Sequence, residues 1–124
     1  MAERPFTVTP IAGFGEAAWI VSWTGLLNGD TGSAYEMPSA ADRSVEFTGT
    51  FGAGGSISLK GSNLTAGGTG SNILTDPQAN AITKTAAGLE QVQEITRYMW
   101  PHVTAGDGTT SLVATMLVTR KRSL

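Results

Sequence analysis

The 124-residue sequence contains no cysteine and a single histidine, His102. The first absence excludes a disulfide framework and any thiolate metal site, so packing, helped by self-association, must hold the fold. The second excludes a metal site built on two imidazoles and makes any Ser-His-Asp triad depend on His102 alone. No G-x-S-x-G elbow supplies a nucleophile for such a triad, and a histidine beside Pro101 at a strand end reads as structural. Charge is scarce too: Asp, Glu, Lys and Arg make up 15% of the chain, little for the surface of a soluble monomer. The one basic cluster, Arg120, Lys121 and Arg122, sits in a chain of net charge −2, which offers nucleic acid no basic face. No apolar run approaches the ~20 residues of a spanning helix, and the first residues lack the apolar core of a signal peptide. The expectation is a chain that neither spans a membrane nor leaves the cell by that route.

What is abundant is alternation. Val45, Phe47, Gly49 and Phe51 alternate with Ser44, Glu46, Thr48 and Thr50, and Ile57, Leu59 and Gly61 alternate with Ser56, Ser58, Lys60 and Ser62, which predicts two half-buried strands. Gly52-Ala53-Gly54-Gly55 between them reads as the turn of an antiparallel hairpin. Residues 17–26 and 110–119 read as further strands, the latter central, with residues 95–100 as its partner. Pro101 belongs at an edge, a bulge or a strand end because it cannot donate to a ladder. Helical spacing is confined to Leu89, Val92 and Ile95, enough for one turn. Strands at short spacings separated by Gly, Asn, Asp and Ser clusters predict an all-β fold: a single-domain antiparallel β-sandwich or jelly roll over residues 16–124. Residues 1–15 carry Pro5 and Pro10 and no apolar period, so they read as an extended N-terminal arm.

Several segments invite a chemical reading. Residues 106–111, GDGTTS, resemble a calcium loop, but Asp107 stands alone where several oxygen ligands are needed, so the tight turn of a hairpin fits better, with Asp-Gly as a type I′ pair. NGDTGS at residues 28–33 reads the same way. Gly13-Phe14-Gly15-Glu16-Ala17-Ala18 matches a dinucleotide fingerprint but lacks the strand before it and the helix after it. No cofactor and no metal are therefore expected. Glu90 and Glu94 would share a face only on a helix. Trp19, Trp23 and Trp100 with Tyr35 and Tyr98 could form a sugar platform, although Trp19 and Trp23 share a face with Val21 and so belong to a core.

Residues 19–117, through the segments ADRSV-x-F-TGTFG-x-GGS, GSN, LTDPQ-x-NA, TAAG-x-E-x-V and RY-x-x-P-x-VTAGDGTTSL above all, resemble head decoration, cement or minor capsid proteins of tailed bacteriophages. The resemblance implies a non-enzymatic structural protein of the virion, made in the bacterial host cytoplasm and bound on the outer surface of the head. Its implied partner is the phage major capsid protein, and a symmetric lattice implies a homotrimer, with no nucleic acid and no membrane involved. Phe6, Val8, Ile11 and Phe14 of the arm are the expected capsid or oligomer interface. A virion-borne carbohydrate-binding module for host attachment is the alternative.

Overall fold

Val45 and Phe47 are fully buried while Glu46 and Thr48 are exposed, the alternation of a strand with one wet face. In the computed structural model, which describes residues 2–11, 18–36, 42–68 and 72–119, they lie on β6 (Asp42–Thr50). This strand belongs to a five-stranded antiparallel sheet, sheet B, of order β10-β6-β12-β3-β2. The others are β2 (Phe6–Pro10), β3 (Ala18–Leu26), β10 (Gly88–Gln91) and β12 (Ser111–Thr119). The seven-stranded sheet A has the order β1-β4-β11-β7-β8, with β5 also on β11 and β9 also on β7. Its strands are β1 (Glu3–Arg4), β4 (Thr31–Gly32), β5 (Tyr35–Glu36), β7 (Ser56–Ser62), β8 (Asn72–Ile73), β9 (Thr83–Lys84) and β11 (Tyr98–Ala105).

The two sheets enclose one core. Val21, Trp23, Phe47 and Met116 from sheet B meet Ile57, Leu59, Met99 and Val103 from sheet A, all of them fully buried. Each such aliphatic or aromatic side chain is worth about 1.5–3 kcal/mol relative to exposure. Packing is close enough that Gly32 can carry no side chain: a Cβ there would lie 2.5 Å from Trp23 Cδ1 and 2.6 Å from Pro101 Cδ. That gap lets the Trp23 indole donate to the Ser33 carbonyl at 2.9 Å, which satisfies its one polar atom inside the core. The all-β sandwich expectation therefore holds.

The strand pairing differs from expectation. β6 belongs to sheet B and β7 to sheet A, so residues 51–55 form an arch between sheets and not a hairpin. The same applies to residues 106–110, which lead from β11 in sheet A to β12 in sheet B, and to residues 27–30, which lead from β3 to β4. β11 pairs with β7, and β12 lies between β6 and β3. β12 is thus central as expected, though its outer face remains partly exposed. Residues 88–91 are strand β10, where a helical turn was expected; antiparallel pairing of Gly88–Gln91 with Phe47–Ser44 supplies the ladder that local helical spacing could not.

Pro101 sits inside β11, opposite Leu59. Leu59 directs its N–H to Ile82 and its carbonyl to Leu74, away from β11. Pro101 and Leu59 are therefore a non-hydrogen-bonded pair, and the proline nitrogen faces the break between β4 and β5, where no ladder bond is asked of it.

The described part of the N-terminal segment is not an extended arm. Glu3 and Arg4 pair in parallel with Thr31 and Gly32 in sheet A, and Phe6 to Pro10 pair antiparallel with Trp23 to Trp19 in sheet B. Pro5 stands at the crossing between the sheets, and Pro10 ends an edge strand, two positions where a missing donor costs nothing. The absence of a regular apolar period reflects this division: two residues of strand on one sheet edge and then five on the other are too short to show one.

Candidate functional site

The three arches meet at one end of the sandwich. Register places Ser111 opposite Thr50, Leu112 opposite Leu26 and Ala105 opposite Ser56, so residues 27–30, 51–55 and 106–110 leave the sheets side by side. Gly52 and Gly54 have φ of +73° and +69°, a conformation glycine reaches without strain, and it turns the chain from one sheet to the other.

Asp107 ties this pole together. Its Oδ1 accepts from the Thr109 amide at 2.9 Å and the Thr109 hydroxyl at 2.7 Å, and its Oδ2 accepts from the Ala53 amide at 3.0 Å. Thr110, buried, donates its hydroxyl to the Phe51 carbonyl at 2.8 Å and accepts from the Asp107 amide at 2.9 Å. Asn28 of the third arch donates to the Gly106 carbonyl at 3.2 Å. Led by the Thr109 hydroxyl and the Ala53 amide, these donors hold the Asp107 carboxyl down to about 2. Both carboxylate oxygens are thus occupied by protein donors, which is a turn-stabilising role. Among the described residues no group of three or more His, Cys, Asp or Glu side chains could hold a metal.

A second carboxylate does similar work behind the pole. Asp30, only 3% exposed, accepts from the amides of Ala2 and Leu27, each at 2.9 Å, and from Arg4 Nε at 2.7 Å. Burial alone would raise its proton affinity; the Leu27 amide, Arg4 and the Ala2 amide outweigh it and lower the carboxyl below the usual range. Sequence reading missed Asp30 because nothing in NGDTGS distinguishes a buried carboxylate from an exposed one.

The expected interface residues Phe6, Val8 and Ile11 lie along and just past the edge strand β2. Phe6 is half-buried and packs edge-on against Trp23 and Tyr35, with ring centroids 5.9 and 5.3 Å away. Val8 is 47% exposed on the edge of sheet B. Ile11 is partly buried and donates its amide to the Ala18 carbonyl at 3.2 Å. Phe14 lies outside the described residues. Of the aromatic residues, Trp23 is core, Trp19 donates to the Tyr35 hydroxyl at 2.5 Å across the sandwich edge, and Trp100 points away from the core on the outer face of sheet A. His102 lies on that same face, half-buried. Glu90 pairs with Lys84, while Glu94 accepts from the amide and hydroxyl of Thr75 at 2.7 and 2.5 Å; the two share no site.

No family model matches the sequence, and no curated protein does. Among solved structures, the chain is similar to PliG of Aeromonas hydrophila, a periplasmic inhibitor of g-type lysozyme, at 12% identity and a TM-score of 0.41, covering 94% of this chain and 97% of that one. It is also similar to a carbohydrate-binding module of Cellvibrio mixtus lichenase 5A, solved with cellotriose, at 17% identity and a TM-score of 0.32, covering 95% of this chain and 86% of that one.

Proposed function

We propose that the chain is a capsid decoration protein: it docks by its arch pole on the assembled head of a tailed bacteriophage and staples neighbouring major capsid subunits. The observation that carries this reading is the convergence of two of the most specific segments of the family resemblance. TGTFG-x-GGS and VTAGDGTTSL, far apart in sequence, meet at this pole through the Asp107 to Ala53 bond. The pole exposes Asn28, Gly52, Ala53, Gly54, Gly108 and Thr109, small side chains on a cross-tied backbone, so docking immobilises little that was free beforehand. A protein that binds only the assembled shell stabilises it by mass action. A trimer, with Val8 on the β2 edge available for contact between protomers, engages several capsid chains at once and gains avidity without stronger single contacts.

The test is co-sedimentation with expanded shells assembled from the major capsid protein encoded alongside this chain, with light scattering for subunit mass. Ala53→Arg places a bulky charge on the pole and is expected to lower shell occupancy at least about tenfold without changing the melting temperature. Arginine at Thr7, on the outer face of sheet B, is expected to leave occupancy unchanged. A chain that stays monomeric at micromolar concentration and is not retained on shells overturns the proposal.

A further inference from the structure

The arch of residues 27–30 is a tight turn built on the pair Asn28-Gly29. The Leu27 carbonyl accepts from the Asp30 amide at 2.9 Å. Gly29 has a φ of +85° while Asn28 lies outside the positive-φ region, the signature of a type II turn with glycine in its third position. Asn28 itself is exposed. An asparagine followed by glycine is the pair in which a chain most readily attacks its own side chain, because glycine sets no Cβ in the way of the attacking backbone nitrogen. The other asparagines, Asn63, Asn72 and Asn80, are followed by leucine, isoleucine and alanine.

In the closed arch both reacting groups are held. The Gly29 N–H donates to the Val103 carbonyl at 3.1 Å, and Asn28 Nδ2 donates to the Gly106 carbonyl at 3.2 Å. The nitrogen that would attack is thus tied to β11, and the side chain it would attack is tied to the neighbouring arch. The tie to β11 is doubled, since the amide of the fully buried Val103 donates to the Asp30 carbonyl at 2.9 Å. Behind the turn, the Asp30 carboxylate binds the Leu27 and Ala2 amides and Arg4, so the N-terminal strand braces it. The Asn28 bond is exposed and long, the weaker of the two seals. Release of Gly29 from Val103 is therefore the controlling step.

We propose that Asn28-Gly29 is a latent site of covalent modification, sealed by the bonds to Val103 and Gly106 and unsealed when the arch lifts from β11. Once it lifts, the Gly29 nitrogen gives its proton to water and bonds to Asn28 Cγ, the Cγ–Nδ2 bond breaks, and ammonia leaves. The succinimide so formed takes up water at either carbonyl and becomes isoaspartate or aspartate, with nothing oxidised or reduced. Each product sets a carboxylate where an amide had donated to Gly106, so two acceptors face each other. Isoaspartate also adds a backbone carbon to the turn, which takes Gly29 out of register with Val103. The change is one-way and keeps the arch from closing again. Its rate follows the fraction of chains in which the arch is open. This inference does not depend on docking to a capsid, because the chemistry and its test belong to the isolated chain.

The experiment is incubation of the purified chain at mildly alkaline pH, native and in urea, followed by peptide mass spectrometry for ammonia lost and water gained and by isoaspartyl methyltransferase labelling. In urea, Asn28 is expected to convert far ahead of Asn63, Asn72 and Asn80. In native buffer its conversion is expected to be about ten- to a hundredfold slower than in urea, as the net strength of two or three hydrogen bonds allows. Arg4→Ala removes the brace without touching the turn, and is expected to speed native conversion about two- to fivefold while leaving the urea rate unchanged. Hydrogen exchange of the Gly29 amide should rise by the same factor. Sub-denaturing urea supplies the same comparison if Arg4→Ala leaves that exchange unchanged. The modified fraction, separated by anion exchange, should melt below the unmodified one. A native rate equal to the urea rate, a rise in Gly29 exchange that conversion does not follow, or no preference for Asn28 in urea overturns the proposal.

Discussion

Asp30 holds the N-terminal strand to the β3–β4 arch through three donors on Ala2, Arg4 and Leu27. Replacing it with alanine strands two amides and a half-buried guanidinium, and leaving such groups unsatisfied costs about 1–3 kcal/mol each, more where charge is involved. Asp30→Ala is therefore expected to lower stability by about 2–4 kcal/mol. Arg4→Ala removes only the ion pair, whose arginine side chain is 35% exposed, and should cost about 0.5–1 kcal/mol after solvent screening. Urea denaturation of the two variants measures both, and equal losses would mean that the ion pair and not the buried carboxylate carries the contact.

Glycines in the arches show how far a turn motif can mislead at the level of an element. Gly108 was expected to need positive φ as part of an Asp-Gly hairpin turn; it does not lie in that region, and a Cβ there would meet nothing within 4 Å. Gly52 carries the constraint instead, with φ of +73° and a would-be Cβ pressed on the Asp107 carboxylate and 2.8 Å from the Thr110 hydroxyl. Gly52→Ala is expected to destabilise by about 1–3 kcal/mol through strain and displacement of the Asp107 cross-tie. Gly108→Ala is expected to change stability by less than about 0.5 kcal/mol. Thermal melts of the pair check this, and a larger loss at Gly108 would restore the hairpin geometry.

For the whole molecule, pH tests two distant groups in one titration. The His102 imidazole is held below its ordinary range by burial and then by the neighbouring Lys60; Ser58 and Thr31 pair with it across the strands, and Glu3 stands beyond Thr31 in register. The folded state thus resists protonation that the unfolded chain accepts, so stability is steady above about pH 6.5 and declines as pH falls below it. Asp107 works in the other sense: its carboxyl titrates near about 2 in the fold against 3.8 when free, so its contribution is complete above about pH 4 and is lost as pH falls toward 2. Denaturation midpoints measured from pH 8 to pH 2 should show both declines. His102→Asn should remove the upper one and leave the lower, while Asp107→Asn should leave the upper and reduce the lower, the remainder belonging to Asp30 and Glu94, whose carboxyls are also held below the usual range. A profile unaffected by His102→Asn would mean that the imidazole is no more buried in solution than in the unfolded chain.

The strands themselves were legible because period-two alternation is a local consequence of half-burial: the expected span 56–62 is β7 residue for residue, and β3, β6 and β12 fall within a residue or two of expectation. That the chain can form no disulfide and no site with two imidazoles followed from residue counts alone. What alternation cannot encode is the sheet to which each strand belongs, since a Gly-rich connection serves an arch as well as a hairpin and the same apolar face fits either sheet. Only the closing of two sheets on one core decided that, and with it the meeting of residues 28, 53 and 107 at one pole. The N-terminal strands were hidden for a related reason: edge strands of two and five residues are held by the backbone groups of their neighbours, and that stabilisation leaves little trace in side-chain pattern. The outward Trp100 follows the same logic, because the sequence states that tryptophan is apolar and large, whereas the fold decides which side of the sheet must hide it.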